Sequence, residues 1–142
     1  MDRRGLVRTA LAALAGAAAT GARAAPERAQ RVVYHLADAD KSVFVLGNIR
    51  NHLAGASGPL TLALVVHGGA LSSFRATTHD QAIRDGTDEA LKAGVALYAC
   101  AHTMAAQKMT LKDLLPGFAV AEKGGVVLLA DLQAQGWAYL RP

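Results

Sequence analysis

The chain has 142 residues, of which 52% are hydrophobic and 18% are charged. Residues 1–24 hold four of the 15 basic side chains and one of the 11 acidic ones, so the rest of the chain is close to neutral. This remainder has no basic stripe with interleaved aromatic residues, so we expect no nucleic-acid partner. Its length predicts one domain of ordinary size rather than several.

The first 24 residues, MDRRGLVRTALAALAGAAATGARA, have the organisation of an export signal. Three arginines precede an Ala- and Leu-rich stretch, and the segment closes with the small-x-small pattern of a signal-peptidase site ending at Ala24. The adjacent arginines resemble a twin-arginine signal, and the apolar stretch is shorter than the roughly 20 residues that span a bilayer. We predict a signal peptide over residues 1–24 and a periplasmic domain over residues 25–142, with no membrane association after cleavage.

The first half of this domain alternates between strand and helix patterns. A β-branched pair predicts a strand, apolar residues four apart predict a helix, and a nearly continuous apolar run predicts a strand covered on both faces. A polar loop and a second helix follow. The predicted elements are a strand at 31–38, a helix at 38–55, a strand at 59–69, a loop at 71–79 and a helix at 80–94.

The second predicted helix is expected to bury one face against the sheet. Its inward-facing residues are Ile83, Thr87, Ala90 and Leu91, which recur at helical spacing. Gly86 lies in the middle of this pattern and weakens the helix, because glycine costs about 1 kcal/mol relative to alanine in a helix interior. The sequence therefore leaves open that this helix is broken in two at Gly86.

The second half of the domain repeats the alternation with shorter elements. Proline and glycine punctuate these elements. They are a strand at 95–100, short helices at 102–109 and 110–117, a strand at 118–122, a helix at 123–136 and a closing strand at 137–142.

This order of elements predicts an α/β fold, specifically a flavodoxin-like three-layer sandwich with a mainly parallel five-stranded sheet. The first strand leads into HLADADKS, which supplies no glycine for close approach to a pyrophosphate. We therefore predict no dinucleotide, and nothing in the sequence implies another cofactor.

Reactive side chains follow three of the predicted strands. His35, His67 and Cys100 end the first, second and third strands, and His102 follows Cys100. The carboxyl ends of parallel strands share one edge of a sheet, where ligands bind in such folds. A thiolate at the start of a helix is stabilised and becomes nucleophilic, so Cys100 is the candidate catalytic residue and the three histidines are candidate binding residues.

Two other interpretations of these residues stay open. Cys100 could be a small buried hydrophobe in the core, and the histidines could be turn or cap residues. The same side chains could also offer nitrogen and sulfur ligands to copper or zinc, but no compact ligand spacing supports a metal site. We therefore assign no metal.

Several segments, taken in order, resemble the DsrE/DsrF-like family of sulfur-relay proteins. They are VVYHLAD, LGNIRNHL, LALVVHGGAL, LKAGVALYACAHTM and GVVLLADLQAQGWAYLRP, and the resemblance covers residues 31–142. It implies a flavodoxin-like fold and a homo- or hetero-oligomer, often a trimer or hexamer, and for this chain we expect a homo-oligomer. In the relay members a cysteine after the third strand carries a persulfide, and Cys100 matches that position.

These observations together predict an exported sulfur carrier or sulfurtransferase-like protein. Cys100 would take up sulfane sulfur as a persulfide from a donor and pass it to an acceptor protein. This function requires a low pKa and exposure of the Cys100 thiol. A lone cysteine suits an oxidising compartment, since a second one would trap the carrier as a disulfide. The alternatives are a non-enzymatic periplasmic protein that binds a metal or small ligand, and an oligomeric scaffold.

Overall fold

The computed structural model describes Gly21 and residues 28–142. The predicted signal peptide, residues 1–24, lies outside the described residues apart from Gly21. In the described part, no helix is long and apolar enough to cross a membrane.

Five strands form one sheet, and every pair of neighbouring strands runs parallel in the order β4-β3-β2-β1-β5. This confirms the predicted α/β class and the five-stranded parallel sheet. The elements are β1 (Gln30–Leu36), α1 (Ser42–Gly55), β2 (Leu60–Val66), α2 (Gln81–Lys92), β3 (Ala96–Cys100), α3 (Ala101–Ala106), β4 (Phe118–Ala121), α4 (Gly125–Ala134) and β5 (Ala138–Leu140). Short 3-10 turns span Ala39–Lys41, Gly68–Phe74 and Leu111–Asp113.

The two faces of the sheet carry unequal layers. On one face, buried residues of α1, α2 and α3 pack with alternate residues of β1, β2 and β3 into the larger core. On the other face, a smaller core joins Val33, Ala63 and Val65 of the sheet to Leu129 and Leu132 of α4. Successive strand residues point to opposite faces, so the odd-numbered positions of β1 and β2 face α4.

The segment at 71–79, predicted as a polar loop, contributes to the core. Its first part lies in the 3-10 turn Gly68–Phe74, and both Leu71 and Phe74 are fully buried. The Phe74 ring packs edge-on against Phe118, with centroids 5.4 Å apart. The prediction was wrong here because one pair of apolar residues three apart, surrounded by serine, arginine and threonine, is too short a pattern to indicate a buried turn.

Two helix predictions also need correction. Helix α2 is continuous through Gly86, where a Cβ atom would meet the Leu46 side chain at 3.1 Å, so the glycine allows close packing of α1 against α2. Leu91 is 37% exposed instead of facing inward. The helix predicted at 110–117 is only the 3-10 turn Leu111–Asp113, closed by a capping box in which Thr110 and Asp113 bond each other's backbone.

Candidate functional site

Three of the four predicted site residues meet on the α4 face of the sheet. His35 lies two residues after Val33, so it shares that face. Val66 of β2 pairs with Ala99 of β3, which places His67 and Cys100 in register one step further along. The parallel arrangement therefore brings His35, His67 and Cys100 to one sheet edge, as the sequence predicted.

The two strand-end histidines form a hydrogen-bonded chain with a tyrosine. Nε2 of His35 lies 2.5 Å from Nε2 of His67, and Nδ1 of His35 lies 2.6 Å from the Tyr139 hydroxyl. The strand register explains why the tyrosine reaches His35, because Tyr139 of β5 pairs with Val33 and so points to the same face of the sheet. Each ring nitrogen of His35 thus has a partner, and the residue is only 8% exposed.

The environment of this pair favours neutral imidazoles. Burial first, and then the charges of His67 and Arg141, lower the pKa of His35 to about 4, against a smaller opposing effect of Asp38. Burial also lowers the pKa of His67, with Arg141 acting in the same direction and Asp38 opposing it. Asp38 and Arg141 themselves form an exposed ion pair at 3.5 Å.

Cys100 lies where the amino ends of two helices converge. It is the N-cap residue of α3, and α4 begins at Gly125 beside it. Burial raises the pKa of the Cys100 thiol, but hydrogen bonds from the backbone of Gly125, Thr103 and His102 and from the Thr103 side chain outweigh it, so the pKa is lowered overall. We call these donors the thiolate cradle. They hold negative charge on sulfur in the way that helix amino ends hold anions.

A hydrogen bond from the loop after β2 orients Thr103, the residue whose side chain belongs to the thiolate cradle. The Gly68 backbone N–H donates to Thr103 Oγ1 at 3.0 Å, so the hydroxyl oxygen is already accepting when it faces the sulfur. Its own proton is therefore free to be donated to Cys100. The Gly68 carbonyl in turn accepts from Nε2 of Gln107 at 2.9 Å, which ties the loop after β2 to α3.

Two buried glycines allow α4 to approach the sulfur. A Cβ atom on Gly125 would lie 3.2 Å from Val65 Cγ1, 3.5 Å from Cys100 Cβ and 3.6 Å from His67 Cβ. Gly124 has φ of +100°, and its Cβ would lie 2.7 Å from the ring of His102. His102 is thus not part of the histidine chain; its exposed ring covers Gly124.

Cys100 is less accessible than the sulfur-carrier function requires. The residue is only 5% exposed and belongs to the buried set. The cradle that lowers the thiol pKa is also what covers the sulfur, because the donors must lie within hydrogen-bond distance. In this conformation the pKa of the Cys100 thiol is shifted in the direction that the function requires, but the sulfur is not exposed.

A metal centre has no support among residues 28–142. In that range no group of three or more His, Cys, Asp or Glu side chains is placed to hold a metal ion. His35 and His67 direct their Nε2 atoms at each other instead of at a common point.

Sequence reasoning missed two residues of this site. The sequence pattern places Tyr139 only in a closing strand and Thr103 only in a short helix. The sequence places Tyr139 in the last predicted strand. Its contact with His35 depends on β5 lying next to β1, and the sequence pattern does not specify that strand order. Thr103 lies three residues after Cys100, a position whose backbone N–H is free at a helix start.

The buried His35 predicts that the fold loses stability in acid. Because its pKa is lowered from 6.5 to about 4, the unfolded chain binds more protons between these values, and stability falls as pH falls through that window. The full shift would correspond to about 3 kcal/mol, and we expect about 1–2 kcal/mol because the neighbouring His67 and Tyr139 are partly solvated. Urea unfolding at pH 7 and pH 4.5 measures the difference.

His35→Gln tests the origin of this acid sensitivity. The variant should lose part of the pH dependence, whereas His52→Gln should keep it, since His52 bonds the Tyr34 hydroxyl on the opposite face of the sheet. An equal pH dependence in wild type and His35→Gln would contradict the assignment.

Comparison with known proteins supports the fold and identifies a family that the chain matches. A model of the DsrE/DsrF-like family matches residues 7–142. A search of curated proteins returns no match. Among solved structures, a protein of unknown function from Methanobacterium thermoautotrophicum, MTH1491, is 30% identical with a TM-score of 0.71, over 80% of this chain and 99% of that one.

Two further structures share the fold at lower identity. The ychN protein from E. coli is 16% identical with a TM-score of 0.63, over 81% of this chain and 100% of that one. The protein BT1422 of unknown function from Bacteroides thetaiotaomicron is 15% identical with a TM-score of 0.62, over 80% and 95% of the two chains. The family match spans nearly the whole chain and indicates a role related to sulfur relay: the chain belongs to the DsrE/DsrF-like family.

Proposed function

We propose that this protein is an exported sulfur carrier that takes up sulfane sulfur as a persulfide on Cys100 and passes it to an acceptor. The observation that carries the proposal is the thiolate cradle, in which backbone N–H groups from the amino ends of α3 and α4 and the Thr103 hydroxyl stabilise negative charge on sulfur. The family membership supports the same chemistry. The fold contains one cysteine, so the persulfide has no internal thiol with which to form a disulfide.

The uptake step is a nucleophilic displacement at sulfur. With thiosulfate as donor, the Cys100 thiolate attacks the sulfane sulfur, a new S–S bond forms on Cys100, and the S–S bond of thiosulfate breaks. Sulfite leaves with the electron pair, and Cys100 becomes a perthiolate. No oxidant is consumed, because the sulfane sulfur arrives already oxidised relative to the thiolate.

The cover over Cys100 restricts what can react with it. At 5% exposure, the sulfur suits a small anionic donor in preference to a folded partner inserting its own side chain. Once loaded, the outer sulfur stands about 2 Å beyond Sγ, since that is the length of an S–S bond. Transfer to an acceptor protein is therefore easier to accommodate than direct attack on the unloaded thiolate.

Export and assembly belong to the same proposal. The leader-like residues 1–24 support a periplasmic location, and the twin-arginine pattern supports export in the folded state. A homo-oligomer, a trimer or hexamer, is supported by apolar side chains that the isolated chain leaves exposed. They lie on α4 and at the start of α1: Val126, at 66%, Val127, at 40%, Val43, at 46%, and Phe44, at 57%.

Intact-mass measurement of the protein after exposure to thiosulfate or polysulfide tests the proposal. We expect a reducible gain of about 32 Da per sulfur in the wild type, and none in Cys100→Ser, which carries no thiol. The substitution changes one buried atom, so circular dichroism should be the same for both proteins. The absence of any gain on a wild-type thiol that is shown to be intact would overturn the proposal, as would an equal gain in both proteins.

A further inference from the structure

Three side chains beside the cradle have no role in sulfur uptake as proposed. Tyr139, His35 and His67 form a continuous hydrogen-bonded chain that runs from the edge strand β5 to the end of β2. A buried histidine with both ring nitrogens engaged has a fixed orientation. The hydrogen bonds of Tyr139 and His35 can fix the tautomer and the orientation of the His67 ring, as they do for a positioned acid–base group.

His67 is the member of this chain that lies beside the sulfur. The register of β2 and β3 puts it next to Cys100, and both Cβ atoms lie within 3.6 Å of the position of a Cβ on Gly125. Nε2 of His67 is engaged with His35, while its Nδ1 makes no hydrogen bond within residues 28–142. His67 is half-buried at the sheet edge, and Nδ1 is its ring nitrogen that is not engaged with His35.

Cys100 itself does not need this base. The cradle already stabilises its thiolate through backbone and hydroxyl donors, and no imidazole contributes to that stabilisation. The neighbouring imidazole is therefore available to the second reactant, which is the acceptor that must lose a proton before it can attack the loaded sulfur.

We propose that His67 is the catalytic proton carrier of the handover step, and that His35 and Tyr139 are its positioning residues. This inference rests on the proposed function. His67 takes the proton of an acceptor thiol and delivers it to the outer sulfur of the Cys100 perthiolate. The acceptor thiolate then forms a bond to that sulfur, the bond from the sulfur to Cys100 Sγ breaks, and its electron pair returns to Cys100 in the cradle. The products are an acceptor persulfide and the original thiolate, so atoms and charge balance.

The charges around His67 suit transient protonation. It faces the His35 ring and the Arg141–Asp38 ion pair from β1 and the chain end, and Cys100 from β3. Burial and Arg141 lower the pKa of His67, so its imidazolium gives up a proton readily. A group that is neutral at pH 7 and acidic once protonated can act first as base and then as acid in one step.

Single-turnover discharge of loaded protein tests this role. Wild type and His67→Gln are loaded with sulfur, freed of donor and mixed with a small thiol such as cysteamine, and loss of the added 32 Da is followed by mass spectrometry. We expect His67→Gln to load as the wild type does and to discharge about 100-fold more slowly at pH 7, the lower range for a lost acid–base group. His52→Gln, which alters a tyrosine-bonded histidine on the other face, should discharge normally.

The positioning residues have their own readout. His35→Gln and Tyr139→Phe should slow discharge less than His67→Gln and should move the pH midpoint of the discharge rate. Added imidazole should speed the discharge of His67→Ala and leave His52→Ala unchanged. A discharge rate in His67→Gln equal to the wild type would overturn the role of His67 while leaving the sulfur carrier intact. Loss of loading in His67→Gln would also overturn it, by placing His67 in uptake, and failure of the wild type to load would overturn both proposals.

Discussion

Gly125→Val is expected to lower the free energy of unfolding by about 1–3 kcal/mol and to raise the pKa of Cys100. The Cβ atom alone would contact Val65 Cγ1 at 3.2 Å and Cys100 Cβ at 3.5 Å, and valine adds two more methyl groups in the same buried space. Helix α4 must then move away from the sheet, which withdraws the Gly125 donor from the sulfur. Urea unfolding measures the first effect, and the pH dependence of iodoacetamide alkylation measures the second.

Gly47→Val is the matched control for this substitution. Gly47 also lies in a helix, but a Cβ there has no atom within 4 Å. Valine is a slightly better helix former than glycine, so the control should change stability by less than about 0.5 kcal/mol and leave alkylation unchanged. Equal stability losses in the two variants would show that crowding at the site is not the cause.

Thr103→Val is expected to slow alkylation of Cys100 at pH 7 about 10-fold and to shift its pH midpoint upward. Valine keeps the shape of threonine and removes the hydroxyl that bonds both the Gly68 N–H and the Cys100 sulfur. A hydrogen bond to a charged group contributes about 1.5 kcal/mol or more, which corresponds to a factor of about 10 in the thiolate fraction. Removing the donor raises the pKa of Cys100, so less thiolate is present at a given pH.

Two controls separate the hydroxyl from its surroundings. Thr103→Ser keeps the donor and should react like the wild type. Thr87→Val removes a buried hydroxyl that has no hydrogen-bond partner in the described part of the chain, so it should leave alkylation unchanged and be neutral or stabilising. If Thr103→Val and Thr103→Ser react equally fast, the hydroxyl does not act on the sulfur.

The local pattern of the sequence was sufficient for the number of strands and their order along the chain, because β2 is a continuous apolar run and Gly94 and Gly136 follow α2 and α4. The edge position of His35, His67 and Cys100 followed from parallel strands alone. The pairing of His35 with Tyr139 did not, since it depends on which strand neighbours β1, and the strand order is set by packing across the whole domain.

The sequence left the burial of Cys100 open for a related reason. The pattern placed Lys123-Gly124-Gly125 at the start of a helix, but not against the sulfur. That contact requires α4 to cross from the β4 edge of the sheet to the β5 edge, over the carboxyl end of β3. It also requires two glycines, Gly124 and Gly125, where the backbone of α4 can closely approach the side chains of the neighbouring elements.

The position of α4 links the ionisation of Cys100 to the packing of the helix. Gly125 lies beside Cys100 and donates a hydrogen bond to its sulfur, and this bond favours the thiolate over the thiol. By reciprocity, loss of the thiol proton strengthens docking by the same factor by which docking favours that loss. An oxidant that reaches the sulfur only when the helix opens therefore meets a thiol that has lost the Gly125 donor and holds a smaller fraction of thiolate. In an oxidising compartment this coupling lengthens the lifetime of a lone thiol, since exposure and nucleophilicity do not rise together.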